Sequence, residues 1–271
     1  MKNYLFALAL AITPTLSVAQ DKTSPLVIAG GVDGGGYNKF AKNLAERMKQ
    51  RGYTSVSVSV NNGSDAITLA ACNSAADVWI SQIDAIYTRY NEGCVLTPVA
   101  DYGVEHALLL VPPRSDIDEL SDLSAEHVLA VDGIGSGTEL FWNTIKAIEL
   151  GDDGNKNPWA KARTVESSAA ELNTMANFGT IHAAILVRKT DSADIQLLLN
   201  QGWSVAELWD KDIDDQYFNN LPLYASGKVT IKTPSGKYTA WGYEVKSFVG
   251  VSPTLADNRT LKSDIASAVQ K

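Results

Sequence analysis

Val131–Leu150 runs VDGIGSGTELFWNTIKAIEL: an apolar strand end, a glycine-rich turn and then a helix. The glycines of the turn permit positive φ and a close approach of backbone to ligand. Ser136 and Thr138 are good helix N-caps. Beyond them Leu140, Phe141, Ile145 and Ile148 fall on one helical face. The first turn of such a helix leaves backbone N–H groups without partners at the positive end of the helix dipole. That arrangement suits a carboxylate or another anion.

A second copy of the design lies near the start of the chain. Leu26–Ala29 is a short apolar strand, followed by Gly30, Gly31, Gly34, Gly35, Gly36 and Tyr37. A helix then carries Phe40, Leu44 and Met48 at i, i+4 and i+8. Two such units, roughly a hundred residues apart, predict two lobes with a ligand between them. Between the units, short apolar strands alternate with amphipathic helices, as in a parallel sheet covered by helices. The expected strands are Thr54–Val60, Val78–Ser81, Val95–Tyr102 and His106–Val111, with a crossover between lobes at Pro112-Pro113. Further strands are expected at Arg163–Val165 and Ala183–Val187, with Arg188 at the carboxyl end of the second. The tail contains a hairpin signal, Pro234-Ser235-Gly236, then a strand at Lys246–Val251 and a last helix returning to the first lobe. The domain reading is a signal peptide at 1–19, a first lobe of 20–111 plus 220–271, and a second lobe of 112–219. Ligands of such sheets bind outside the carboxyl ends of strands, so the loops Gly31–Tyr37, Asn61–Ser64 and Gln82–Asp84 should share a rim.

The net charge of −8 argues against a nucleic-acid partner, which would require clustered Lys and Arg. Residues 1–19 have the three parts of a secretory signal: Lys2, the apolar run Leu5–Ile12, and Ser17-Val18-Ala19 as a cleavage site. The apolar run is far short of the ~20 residues of a membrane span. A periplasmic location is therefore expected. The two cysteines, Cys72 and Cys94, are candidates for a disulfide in an exported protein, with two buried free thiols as the alternative.

Catalytic signatures are weak. Gly133-Ile134-Gly135-Ser136-Gly137 is not a nucleophile elbow, because Ile134 stands where that motif needs glycine. Neither glycine cluster completes a dinucleotide fingerprint, since residue 39 is Lys and residue 138 is Thr. His106, His127 and His182 lack zinc-ligand spacing. No metal, no cofactor and no enzymatic activity is expected.

GGVDGGGYNKFAKNLAERM, NNGSDAITLAACNSAADVWISQIDA and LAVDGIGSGTELF resemble successive motifs of the TAXI solute receptors, which serve TRAP-type transporters. The resemblance runs in order over most of residues 26–188, with a weaker echo in Lys246–Gln270. It implies an α/β, two-lobe type II periplasmic binding-protein fold, each lobe a mostly parallel sheet flanked by helices, with a hinge between. It also implies a non-catalytic receptor for a small anionic or zwitterionic solute: an amino acid, keto acid or dicarboxylate. Such a receptor docks on membrane transporter subunits and is expected as a monomer. Gly35, Gly36 and Tyr37 match the first ligand loop, and Ser64 matches the family's Gly-Ser turn; Asn62, in the same turn of this chain, is a further ligand candidate. Gln82 and Asp84 match a Gln-Ser-Asp-like segment, with Ile83 in place of its small polar residue. Ser136, Gly137 and Thr138 match the second anion loop. Arg188 is a candidate partner for a ligand carboxylate, or simply a surface arginine. Tyr37 is either a lid over the ligand or a hydrophobic staple, and Ser136 and Thr138 are either ligand contacts or helix caps. Asp33, beside the first loop, leaves room for a ligand ammonium. Two other functions remain: a ligand sensor on the same fold, and a hydrolase using Ser136.

Overall fold

The computed structural model describes residues 22–151, 157–234 and 236–270; the expected signal peptide, Ser235 and most of the polar loop after Gly151 lie outside them. In chain order the strands are β1 (Leu26–Gly30), β2 (Val56–Val60), β3 (Val78–Gln82), β4 (Thr97–Val111), β5 (Val128–Val131) and β6 (Arg163–Glu166). They continue as β7 (Ala183–Arg188), β8 (Ser204–Ala206), β9 (Tyr217–Phe218), β10 (Leu221–Pro222), β11 (Ala225–Thr233) and β12 (Gly236–Val251). The helices are α1 (Gly36–Gln50), α2 (Ser64–Cys72), α3 (Ile83–Asn91) and α4 (Gly137–Gly151), then α5 (Ala169–Asn177), α6 (Ala193–Asn200), α7 (Lys211–Asp214) and α8 (Arg259–Val269).

The main sheet runs β2-β1-β3-β12-β4-β7-β5-β6. The same parallel trio occurs at each end: β1 between β2 and β3, and β5 between β6 and β7. The trios are joined by two long antiparallel strands, β4 and β12. Residues 97–107 of β4 pair with β12, and 106–110 pair with β7, so one strand serves both halves.

That corrects two details of the sequence reading. The strands expected at Val95–Tyr102 and His106–Val111 are one strand, and the chain passes between the halves along it rather than at Pro112-Pro113. Gly103 does not break it, because Gly103 pairs with Ser247 of β12. Two register shifts, where Tyr102 and Val99 are the extra residues, disturbed the alternation by which a strand is recognised. The tail strand expected at Lys246–Val251 likewise begins earlier, as one arm of the β11–β12 hairpin.

Packing explains the periodicities. Leu44 and Met48 of α1 pack with Leu26 and Ile28 of β1, and with Leu261 and Ile265 of α8. Phe141 and Ile145 of α4 pack with Leu129 and Val131 of β5. Val229 and Ile231 of β11 join the core of the second half, beside Leu110 and Leu186. Among the described residues no helix is long and apolar enough to cross a membrane.

Cys72 and Cys94 form a disulfide that ties the end of α2 to the turn after α3. Their separation is 22 residues, a loop whose closure contributes roughly 3 kcal/mol in the chain-entropy model. For a chain of this size reduction should lower the melting temperature by about 6–12 °C. Calorimetry with and without reductant measures this, and equal midpoints would reject it.

Candidate functional site

The two glycine turns that begin α1 and α4 face each other across a cleft of about 760 Å³. Its rim carries the starts of four helices. Gly35 and Gly36 begin α1, Gly63 and Ser64 begin α2, Gln82 precedes α3, and Ser136 and Gly137 begin α4. All four follow the carboxyl end of a parallel strand, which is why they converge. No side chain caps α1, which leaves its first amides without a side-chain partner at the edge of the cleft.

The halves touch across this cleft through glycine. A Cβ on Gly135 would lie 2.8 Å from Asn62 O, and one on Gly63 would overlap the Gly135 carbonyl. A Cβ on Gly137 would overlap the Gln82 amide. Gly63 and Gly135 let backbone meet backbone here, and Gly137 makes room for the Gln82 side chain.

Most of the residues singled out in the sequence line this space: Gly35, Gly36, Tyr37, Asn62, Ser64, Gln82, Ser136, Gly137 and Arg188. Two do not. Thr138 is fully buried, and its Oγ1 accepts the Val187 N–H at 3.0 Å, fixing α4 to β7. Asp84 is also fully buried; it accepts the Tyr224 hydroxyl at 3.0 Å and the Ala85 N–H at 2.8 Å. Burial pushes the Asp84 carboxyl up to about 7, against those hydrogen bonds.

Ser136 does both things considered for it. It lines the cleft, and its Oγ caps α4 by accepting Glu139 N–H at 3.1 Å, while Glu139 accepts Gly135 N–H at 3.0 Å. A hydroxyl that accepts still has its proton to donate. Tyr37 packs edge-on against Tyr102, with ring centroids 5.3 Å apart. Its hydroxyl donates to Glu105 at 3.0 Å and lies 2.8 Å from Ser247 Oγ. Burial and the Glu105 charge push its ionisation well above the ordinary tyrosine range, so it stays a neutral donor.

Arg188 is not free. Its guanidinium reaches Asp132 at 2.9 Å, Asp194 at 3.0 Å and Val187 O at 2.9 Å. Burial opposes its charge, but the two carboxylates outweigh burial and hold it above its usual value. Asp33, the expected source of negative charge, is exposed and paired with Lys42 at 2.8 Å.

The negative charge comes instead from other carboxylates, of which Glu105, Asp191 and Asp194 escaped the sequence reading. Glu105, Asp132, Asp191 and Asp194 line the cleft, against Arg188 and Lys189. Glu105 lies on β4 between the two halves, in the stretch taken for a gap between strands. No sequence signal marked it, because the two bulges break the alternation that would join the flanking strands. A second groove, of about 720 Å³ between α3 and α4, holds none of the expected ligand residues.

No protein-family model and no curated protein sequence matches this chain. Solved structures do resemble it. XAC2383 from Xanthomonas citri, solved bound to ATP, aligns with a TM-score of 0.56 at 12% identity, over 90% of this chain and 82% of its own. The periplasmic aliphatic sulphonate binding protein SsuA from Escherichia coli aligns at 0.53 and 15% identity, over 90% and 72%. A substrate binding protein of an amino acid ABC transporter aligns at 0.51 and 14% identity, over 91% and 92%. Likeness at this level of identity speaks to architecture, and the architecture is the two-lobe fold of type II periplasmic binding proteins.

Proposed function

We propose that this chain is a periplasmic, non-catalytic receptor that captures a small carboxylate-bearing solute between its lobes for a membrane transporter. The observation that carries the reading is the convergence of four helix starts, from both halves, on one cleft. Each terminus contributes typically ~0.3–1 kcal/mol toward an anion, up to ~2 when partly buried. Micromolar affinity needs about 8 kcal/mol. Closure of the lobes therefore has to add hydrogen bonds and exclude water. The proposed lobes are built on β1, β2 and β3, and on β5, β6 and β7 with β11 packed against them, joined by the shared strands β4 and β12.

The motif resemblance favours a TRAP-type transporter as partner. The likeness to a binding protein of an amino acid ABC transporter favours the other partner class. The membrane genes beside this one separate the two: a TRAP permease supports the first, an ATPase with its permease the second. A hydrolase reading of Ser136 has little support, because among the described residues no histidine lines the cleft to act as base.

The test is a thermal-shift panel of amino acids, keto acids, dicarboxylates and oxyanions. A true ligand at 100 times its dissociation constant adds about 2.7 kcal/mol of stability. For a chain of this size that should raise the melting temperature by about 5–11 °C. A flat response across the panel would reject the receptor.

A further inference from the structure

We infer that the solute also carries a cationic nitrogen, an ammonium or guanidinium, received by Glu105 and Gln82; this deepens the receptor reading and rests on it. The Glu105 carboxylate accepts only neutral donors, the Tyr37 hydroxyl and Gln82 Nε2, both at 3.0 Å through one oxygen. Among the described residues no lysine or arginine forms an ion pair with it.

Gln82 supplies the independent observation. The residue is 2% exposed, and among the described residues its Oε1 has no hydrogen-bond donor. The amide cannot turn over to find one, because a carboxylate only accepts and so holds the NH2 end toward itself. A buried acceptor without a donor is costly. Here it stands beside a carboxylate that, among the described residues, no lysine or arginine pairs with. A ligand ammonium or guanidinium carries several N–H donors and a positive charge, and it meets both needs at once.

The rest of the lining agrees. Arg188 is committed to Asp132 and Asp194, so it does not offset Glu105. Lys189 rests over the Tyr102 ring, 5.7 Å from its centroid. The backbone amides at the helix starts suit an anionic group, while the side chains suit a cation. One zwitterionic molecule answers both.

The experiment is titration calorimetry on the full mature chain with matched probes. These are L-glutamate against 2-oxoglutarate, L-alanine against pyruvate, and L-arginine and agmatine for the guanidinium. At least one nitrogen-bearing probe should bind, with its oxo counterpart at least about tenfold weaker. Glu105→Gln keeps an oxygen for Tyr37 and removes the charge. It should weaken that binding by about ten- to a hundredfold, the usual range for a charge-assisted hydrogen bond. An oxo acid that binds as tightly as its amino acid would overturn the inference and leave the receptor standing. So would a folded Glu105→Gln protein of unchanged affinity. The wild-type probe pairs decide the matter even where the variant does not fold. Failure of every probe, amines and anions alike, would remove the receptor reading and this inference with it.

Discussion

Gly63→Ala should weaken binding of the native solute about a hundredfold and also lower the stability of the empty protein. The two effects have different sources. Gly63 sits at φ 100°, ψ −172°, a region that essentially only glycine occupies. Alanine there costs about 1–3 kcal/mol whether or not the halves are together. The added methyl also overlaps the Gly135 carbonyl, which belongs to the opposite half. That overlap exists only while the halves touch, so it penalises closure and therefore affinity. A hundredfold loss corresponds to about 2.7 kcal/mol. Gly34→Ala is the control: Gly34 has φ +75° but open space around its Cβ. It should lose stability and keep its affinity. Calorimetric titration of both variants would expose the error if Gly63→Ala bound as tightly as Gly34→Ala.

Asp84 should give the protein an unusual pH profile. Its folded pKa of about 7 lies roughly three units above that of a free aspartate. Between pH 4 and pH 7 the folded chain therefore holds a proton that the unfolded chain has released. The stability from this group is fully present below about pH 4 and fades as the pH rises through 7. The total is about 4 kcal/mol. Asp84→Asn cannot ionise, so it should gain on the wild type at pH 8 and differ little at pH 4. Urea unfolding at the two pH values measures this. Parallel profiles for the two proteins would show that the buried carboxyl is not the titrating group.

The sequence carried the architecture because its strongest signals are local. A strand end, a glycine turn and a capped helix fall within Val131–Leu150, and the same grammar at Leu26–Met48 announces a repeated unit. Loops that follow parallel strands must gather at one rim, so Gly35, Asn62, Ser64 and Ser136 were placeable without coordinates. What stayed hidden depends on contacts distant in the chain. Asp84 looks like a rim residue until Tyr224, 140 positions away, is seen to cover it. Thr138 looks like a ligand contact until β7 takes its hydroxyl. Glu105 was invisible because the bulges at Val99 and Tyr102 disguise the long strand that carries it. Arg188 reads as an anion receptor only while Asp132 and Asp194 are considered separately from it.

The placement of β12 also bears on when this polypeptide can fold. The strand at the middle of the sheet, between β3 and β4, is residues 236–251, made more than a hundred residues after either neighbour. Until it arrives, β3 lacks its neighbour on one side, and the larger part of β4 lacks its partner. Pairing over such sequence distances is slow, because the loop must close before the contact rewards it. A nascent chain of this design keeps its sheet unfinished, and so threadable through a narrow channel, until residues 236–251 have been synthesised.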